Sequence, residues 1–359
     1  MTLALRLALL LGLLTAPLGA SADELVSGLL QRVEKLEWER RDWSELAPLL
    51  NHRSVRVRRR VALALARLQD PGAIPALVKA LATEPNRQVR GGLIFALGQT
   101  PGTGERLAKA IRGRAPFRSL RRRKGLFSRI ELLEERRELV EALGRTAQRR
   151  ECRLLLGELK NPDAELRGRA AIALGLLYRR LAAAARAVPA SKKPNPKQAR
   201  ARKRGHSAAL AKILTALSKE KVAALRWRLV YALGTMAGAA ADQEQSLRLA
   251  FGRLLHARGE SELTRIFAAR GIAQCGVPKT PDELRWLPSR DHEVPWRLGV
   301  ELVRALRHYP TTEAFAELLR FCKHPSFHVR RAAAAALGGS KSSPSPALEE
   351  RAAKALRRL

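Results

Sequence analysis

The chain has 359 residues and carries 68 Lys or Arg against 33 Asp or Glu, a formal net charge of +35, with aromatic residues at only 4%. So large an imbalance excludes a surface whose charges cancel internally and points to an anionic partner or surface. Three cysteines exclude a disulfide framework, and Ala- and Leu-rich segments without alternating polarity make helices the default and leave no convincing strand.

In chain order, the first element is a targeting segment. Arg6 is the only charge before Asp23, an apolar run covers Leu7 to Leu14, Pro17 interrupts it, and Ala20-Ser21-Ala22 supplies a small-x-small site. This order predicts a signal peptide over residues 1–22, cut after Ala22, and a periplasmic or extracellular mature protein. The run is too short for a membrane-spanning helix, which needs about twenty apolar residues. No cysteine stands at the cleavage site to take a lipid anchor.

Over residues 23–340 one pattern recurs. Arg58, Arg90, Arg136, Arg167, Arg226, Arg265 and Arg330 each open a predicted helix and are followed seven residues later by Leu or Ile and then Gly or Ala. Four residues before the arginine stand Ser54, Asn86, Asp163, Ser261 and Ser326, short polar side chains suited to accept from the free amides of a new helix. Leu132 and Val222 take that place in the other two, so those helix starts are less defined. The Gly that follows Leu is expected to permit the left-handed turn that ends a helix. Each such helix reads as the second of a pair. The first is clearest over Ala73–Leu81, opened by the Asp70-Pro71-Gly72 turn.

Residues 69–98, through Gln88-Val89-Arg90 to Ala96-Leu97-Gly98, resemble the HEAT repeat, in particular the subtype named after phycobilisome lyases. Asn161-Pro162-Asp163 and His324-Pro325-Ser326 are similar to its turn between helices. The resemblance implies an all-α fold, a right-handed α-solenoid of antiparallel helix pairs. It implies little about activity, because sites are grafted onto such folds independently.

Steps between the recurrent arginines are 32, 46, 31, 59 and 39 residues, then about 32 to Arg297 and 33 to Arg330. A unit of 31 to 33 residues therefore carries two large insertions, placed near residues 112–129 and 179–206. The unit around Arg297 departs from the pattern, with Pro295 at its helix start and Arg304 where an apolar residue is expected. A linker over residues 341–346 and a basic helix over 347–359, suited to cap the stack, close the chain.

The recurrent arginines admit two roles. They form either a ladder of anion-binding groups or a structural set that stacks and bonds carbonyls of the adjacent repeat, and in HEAT-like repeats the structural role is the usual one. Arg56, Arg59, Arg60, Arg87, Arg169, Arg228 and Arg331 add charge that this role does not require. The insertions are the sharper signal. No acid lies between Arg106 and Ile130, where Arg121, Arg122, Arg123 and Lys124 cluster. None lies between Glu165 and Glu220, an interval that holds Lys192, Lys193, Lys197, Arg200, Arg202, Lys203 and Arg204 and is broken by Pro189, Pro194 and Pro196. Such a segment is expected to be mobile and without a core of its own, and is either a polyanion clamp or a solvated spacer.

Nucleophile elbows, phosphate-cradling loops and paired zinc-binding cysteines are absent from the sequence, and no cofactor or metal is expected. His292-Glu293 is a lone pair, so resemblance to the HEAT-repeat di-iron hydroxylase, built on several such pairs, fails. His324 and His328 lie across a turn. Cys275 and Cys322 either pair across adjacent repeats or, with Cys152, stay as buried thiols. The sequence thus predicts an exported, non-enzymatic scaffold that binds a protein, or an anionic envelope polymer or membrane surface, through its concave face and basic insertions. The alternative is a nucleic-acid-binding solenoid like the HEAT-like DNA glycosylases. Export and scarce aromatics disfavour it, since single-strand grooves rely on stacking platforms.

Overall fold

A computed structural model describes residues 22–40, 42–112, 129–187, 196–237, 244–257, 259–275, 294–309 and 311–338, with 350, 353 and 354. Among the described residues there are sixteen α-helices and no strand, so the chain is an all-α array of helix pairs. It divides into two compact units, Met1–Ala147 and Gln148–Leu359. The expected signal segment falls outside the described residues up to Ser21, and so does nearly all of the expected linker and terminal helix.

In the first unit, α1 (Ala22–Trp38) is followed by α2 (Trp43–Leu46), a 3-10 turn (Ala47–Asn51), α3 (Val55–Leu68), α4 (Ile74–Thr83), α5 (Arg87–Gln99), α6 (Gly104–Ile111) and α7 (Arg129–Thr146). The row α1, α3, α5, α7 packs neighbour on neighbour, and α4 and α6 pack on α5 and α7 as the first helices of pairs. Apolar residues three and four apart put one stripe of each helix inside. In α5 that stripe is Val89, Leu93, Ile94 and Leu97, all buried, each contributing about 1.5–3 kcal/mol relative to exposure.

The second unit runs through α8 (Cys152–Glu158), α9 (Ala164–Ala187), α10 (Pro196–Lys219), α11 (Ala223–Ala237), α12 (Glu244–His256), α13 (Glu262–Gln274), α14 (Trp296–Leu306), α15 (Thr312–Phe321) and α16 (Phe327–Gly338). Its second helices form the row α9, α11, α13, α14, α16, while α8, α10, α12 and α15 pack as first helices on α9, α11, α13 and α16.

Three expectations change. The proline-broken interval is helical where described: α9 continues to Ala187 and α10 starts at Pro196, a residue tolerated at a first helical position. The later part of α10 has an apolar stripe, Leu210, Ile213 and Leu217, that is buried and gives it a core. Second, most of the glycines after Leu do not end helices, Gly338 at the last position of α16 being the exception. Gly98, Gly175 and Gly234 lie inside α5, α9 and α11, and the one glycine at positive φ among the described residues is Gly102. Their role is close approach. A Cβ on Gly98 would meet Ala142 Cβ at 2.8 Å, and one on Gly175 would meet Thr235 Oγ1 at 2.8 Å. Third, the two unmarked helix starts differ from the pattern. α7 begins at Arg129, ahead of Leu132, and before α11 the Val222 amide donates to the Glu220 carboxylate at 3.0 Å.

Candidate binding face

The carbonyls that the recurrent arginines bond belong to their own turn or helix pair rather than to the adjacent repeat as expected. Arg58 Nη1 donates to the carbonyls of His52 and Arg53, Arg90 Nη1 to those of Glu84 and Pro85, and Arg167 Nη1 to those of Asn161 and Pro162. Arg226 donates to Leu217 and Glu220, and Arg330 to His324 and Pro325. Arg136 and Arg265 each reach a carbonyl, of Ile111 and Ala257. The rest of the guanidinium reaches forward to a carboxylate of the following repeat. Arg58 pairs with Glu84, Arg90 with Glu135, Arg167 with Glu220 and Arg226 with Glu260, at N to O distances of 2.5–3.0 Å. Arg58, Arg167 and Arg226 meet both oxygens or use two nitrogens on the carboxylate, as a planar fork allows, whereas Arg90 meets Glu135 through Nε. Hydrogen bonding from Arg167, opposed by burial, holds the Glu220 carboxyl below the usual carboxylate range.

Glu84 and Glu220 have further tasks. Each accepts the amide two residues on, of Asn86 and Val222, at 2.8 and 3.0 Å, and its own carbonyl accepts from the next ladder arginine. In the turns of Arg58 and Arg330, histidine replaces the glutamate: His52 and His324 Nδ1 accept the amides of Ser54 and Ser326. His324 Nε2 meets the Val294 carbonyl at 3.0 Å, so both ring nitrogens are engaged. Asn86, Asp163 and Ser261 cap their helices through the side chain.

Most of the additional arginines are also paired. On the face of the first unit's second helices, Arg60 bonds Glu37, Arg87 bonds Glu138 at 2.8 Å and Arg59 reaches Gln88 at 3.4 Å. In the second unit Glu165 takes both Arg169 and Arg228. Arg331, by contrast, is exposed and makes no ion pair among the described residues.

Arg331 belongs to a run of arginines on the row α9, α11, α13, α14, α16. A depression of about 680 Å³ is lined there by Arg179, Arg270, Arg304 and Arg307 against a single carboxylate, Glu301. Glu301 is buried and accepts from Arg270 Nη2 and Arg304 Nη1, both at 2.8 Å. Arg179 and Arg307 are exposed without an ion pair among the described residues. A second depression, of about 390 Å³, shares Arg304 and Arg307 and adds Trp296, His328 and Arg331. Sequence reasoning singled out Arg304 only as a departure from pattern; that departure is what places a cation on this face.

Of the residues expected to bind polyanions, Arg121, Arg122, Arg123, Lys124, Lys192 and Lys193 lie outside the described residues, as does the side chain of Arg202. Lys197, Arg200, Lys203 and Arg204 are exposed on α10. Lys197, Arg200 and Arg204, spaced by three and four, share one helical face. The three cysteines are separate thiols. Cys152 Sγ lies 3.2 Å from Tyr178 Oη, and burial pushes its thiol up. Among the described residues no group of His, Cys, Asp and Glu is placed to hold a metal ion, and no helix is long and apolar enough to cross a membrane.

The helix pairs and their interlocked arginines define a helical-repeat protein. Residues 39–110 match the family of HEAT repeats. The chain is similar to the crystal structure of an engineered protein at 17% identity, covering 97% of this chain and 92% of that one, with a TM-score of 0.49. It is also similar to human deoxyhypusine hydroxylase in complex with glycerol at 18% identity, covering 87% and 97%, with a TM-score of 0.30. No curated protein matches the chain.

Proposed function

We propose that this chain is an exported, non-enzymatic scaffold that binds an anionic protein or envelope polymer, with the second-helix face of its second unit as the docking surface and the basic insertions as long-range attractors. The observation that carries this reading is the contrast in compensation between arginines. In the first unit Arg60 and Arg87 are paired with Glu37 and Glu138 and Arg56 lies 3.9 Å from Asp23, whereas around the larger depression of the second unit Arg270 and Arg304 share Glu301 and Arg179 and Arg307 have no ion pair among the described residues. Uncompensated cations in a depression raise the local concentration of anions and their association rate.

The test is affinity against salt for heparin and duplex DNA. Each phosphate contact steepens the fall of log affinity with log salt by about 0.9 on duplex DNA. Replacing Arg121, Arg122, Arg123 and Lys124 by Gln, and separately Arg200, Arg202, Lys203 and Arg204, lowers both affinity and slope if the insertions act as attractors. Unchanged slopes return them to solvated spacers, and strong preference for one DNA sequence favours the nucleic-acid reading. Export is tested by N-terminal sequencing of secreted material, where the expected first residue is Asp23.

A further inference from the structure

The face of the second unit is more than basic: it holds two apolar depressions with arginines between them. The floor of the larger is built from Ala182, Gly234, Gly271, Tyr231 and Phe267. Packing keeps part of it bare. A Cβ on Gly271 would meet the Phe251 ring at 2.6 Å, and one on Gly234 would lie 3.2 Å from Gly271 Cα. The smaller has a floor of Val300, Val303, Ala332, Ala335 and Ala336 beside Trp296. Arg304 and Arg307 line both and therefore stand between them.

We propose that this groove binds an acidic peptide segment with two apolar anchor residues, one seated in each depression, whose intervening carboxylates meet Arg304 and Arg307. The proposal rests on the scaffold reading and names its partner. Guanidinium charge selects an anion: Arg307 is exposed without an ion pair among the described residues, and Arg304 shares the one carboxylate of Glu301 with Arg270, each at 2.8 Å, which leaves cationic charge for a second carboxylate. The apolar floors select a polypeptide, because sulfated glycans and phosphate backbones have no apolar side chains to fill them. Apolar anchors in desolvated depressions beside arginine are also where binding energy concentrates in protein interfaces.

Of the aromatic rings, Trp227 and Phe267 cover one another, and Trp296, 46% exposed, is a single ring rather than a row of stacking platforms. Trp227 stacks on Phe267 with centroids 5.2 Å apart, and Arg270 lies 5.1 Å from the same ring. Trp296 is flanked by His328 at 5.1 Å and Arg297 at 5.4 Å. Single-strand recognition needs rings open to stacking.

The experiment is fluorescence anisotropy of the full chain with three probes: a labelled glutamate-rich peptide containing two phenylalanines, the same peptide with both replaced by serine, and labelled heparin. The phenylalanine peptide binds at least tenfold more tightly than the serine peptide. The Arg304→Gln/Arg307→Gln double variant weakens both peptides about tenfold, an effect of about 1.4 kcal/mol. Ala335→Trp, which fills the smaller depression, reduces the phenylalanine advantage and leaves the serine peptide unchanged. All three positions are exposed, so the variants keep the fold. Equal binding of the two peptides, or heparin binding without peptide binding, overturns the peptide groove and leaves the anionic scaffold standing. Failure of every probe to bind overturns both.

Discussion

Arg58 and Glu84 are joined fork to fork across two repeats, Nε to Oε2 at 2.7 Å and Nη2 to Oε1 at 2.8 Å, with Glu84 only 4% exposed. Removing one member of a buried pair leaves the other charged and uncompensated, at a cost of about 3–5 kcal/mol. Glu84→Gln is therefore expected to lower unfolding stability by about that amount, with a matching drop in urea midpoint. Glu138→Gln, which breaks the half-exposed pair with Arg87, is the control and costs about 0–1 kcal/mol.

A pH dependence follows from Glu220. Its carboxyl is lowered in the folded chain, by hydrogen bonding from Arg167 first and then, against the opposing effect of burial, by the Val222 amide. A depressed carboxylate stabilises the fold fully above its unfolded value of about 4.3 and loses that contribution as pH falls through the folded value. The stability gap between the wild type and Glu220→Gln should thus be constant near neutrality and shrink below about pH 4. Urea titrations at stepped pH measure it; a gap that widens in acid contradicts the assignment.

Two glycine substitutions should move stability in opposite directions. Gly98→Ala places its Cβ 2.8 Å from Ala142 Cβ and 3.0 Å from its Cα, an overpacking that costs about 1–3 kcal/mol. Gly157, exposed in α8, has nothing within 4 Å of an added Cβ, so Gly157→Ala stabilises by about 0.5–1 kcal/mol. Thermal melts of both variants decide it.

Leu174 is fully buried in α9. Leu174→Asp places a charge among apolar neighbours, with an effective penalty of several kcal/mol (roughly, after relaxation). Because stacked repeats depend on nearest-neighbour contacts, the expected result is a broad loss of helical circular dichroism in the second unit. An unchanged melt would mean that α9 is not packed as described.

The all-α repeat fold was legible from the register Arg58 to Leu65, Arg90 to Leu97 and Arg167 to Leu174, since one spacing fixes both the cap and the buried stripe. The partners of those arginines were not legible. Arg58 and Glu84 are 26 residues apart and Arg167 and Glu220 are 53, and an insertion of variable length hides which carboxylate lands opposite. Two signals were nevertheless present: a glutamate stands six residues before both Arg90 and Arg226. The Leu-Gly pairs misled because a helix end and a close helix approach both demand a missing Cβ, and only the neighbouring helix distinguishes them. The docking face was half visible. Arg304 broke the apolar pattern, but periodicity alone cannot tell an outward cation from an imperfect repeat.

Glu84 closes the fork of the repeat before it, bonds the Asn86 amide of its own turn, and lends its carbonyl to Arg90 of its own repeat. The repeats are consequently not interchangeable bricks. Excising a helix pair, or grafting one from elsewhere in the array, leaves an upstream guanidinium facing the wrong residue unless the incoming turn brings its own acid. Any redesign that lengthens or shortens this protein must therefore cut within a pair, downstream of the acid and upstream of the next arginine, so that each seam carries its own lock and key.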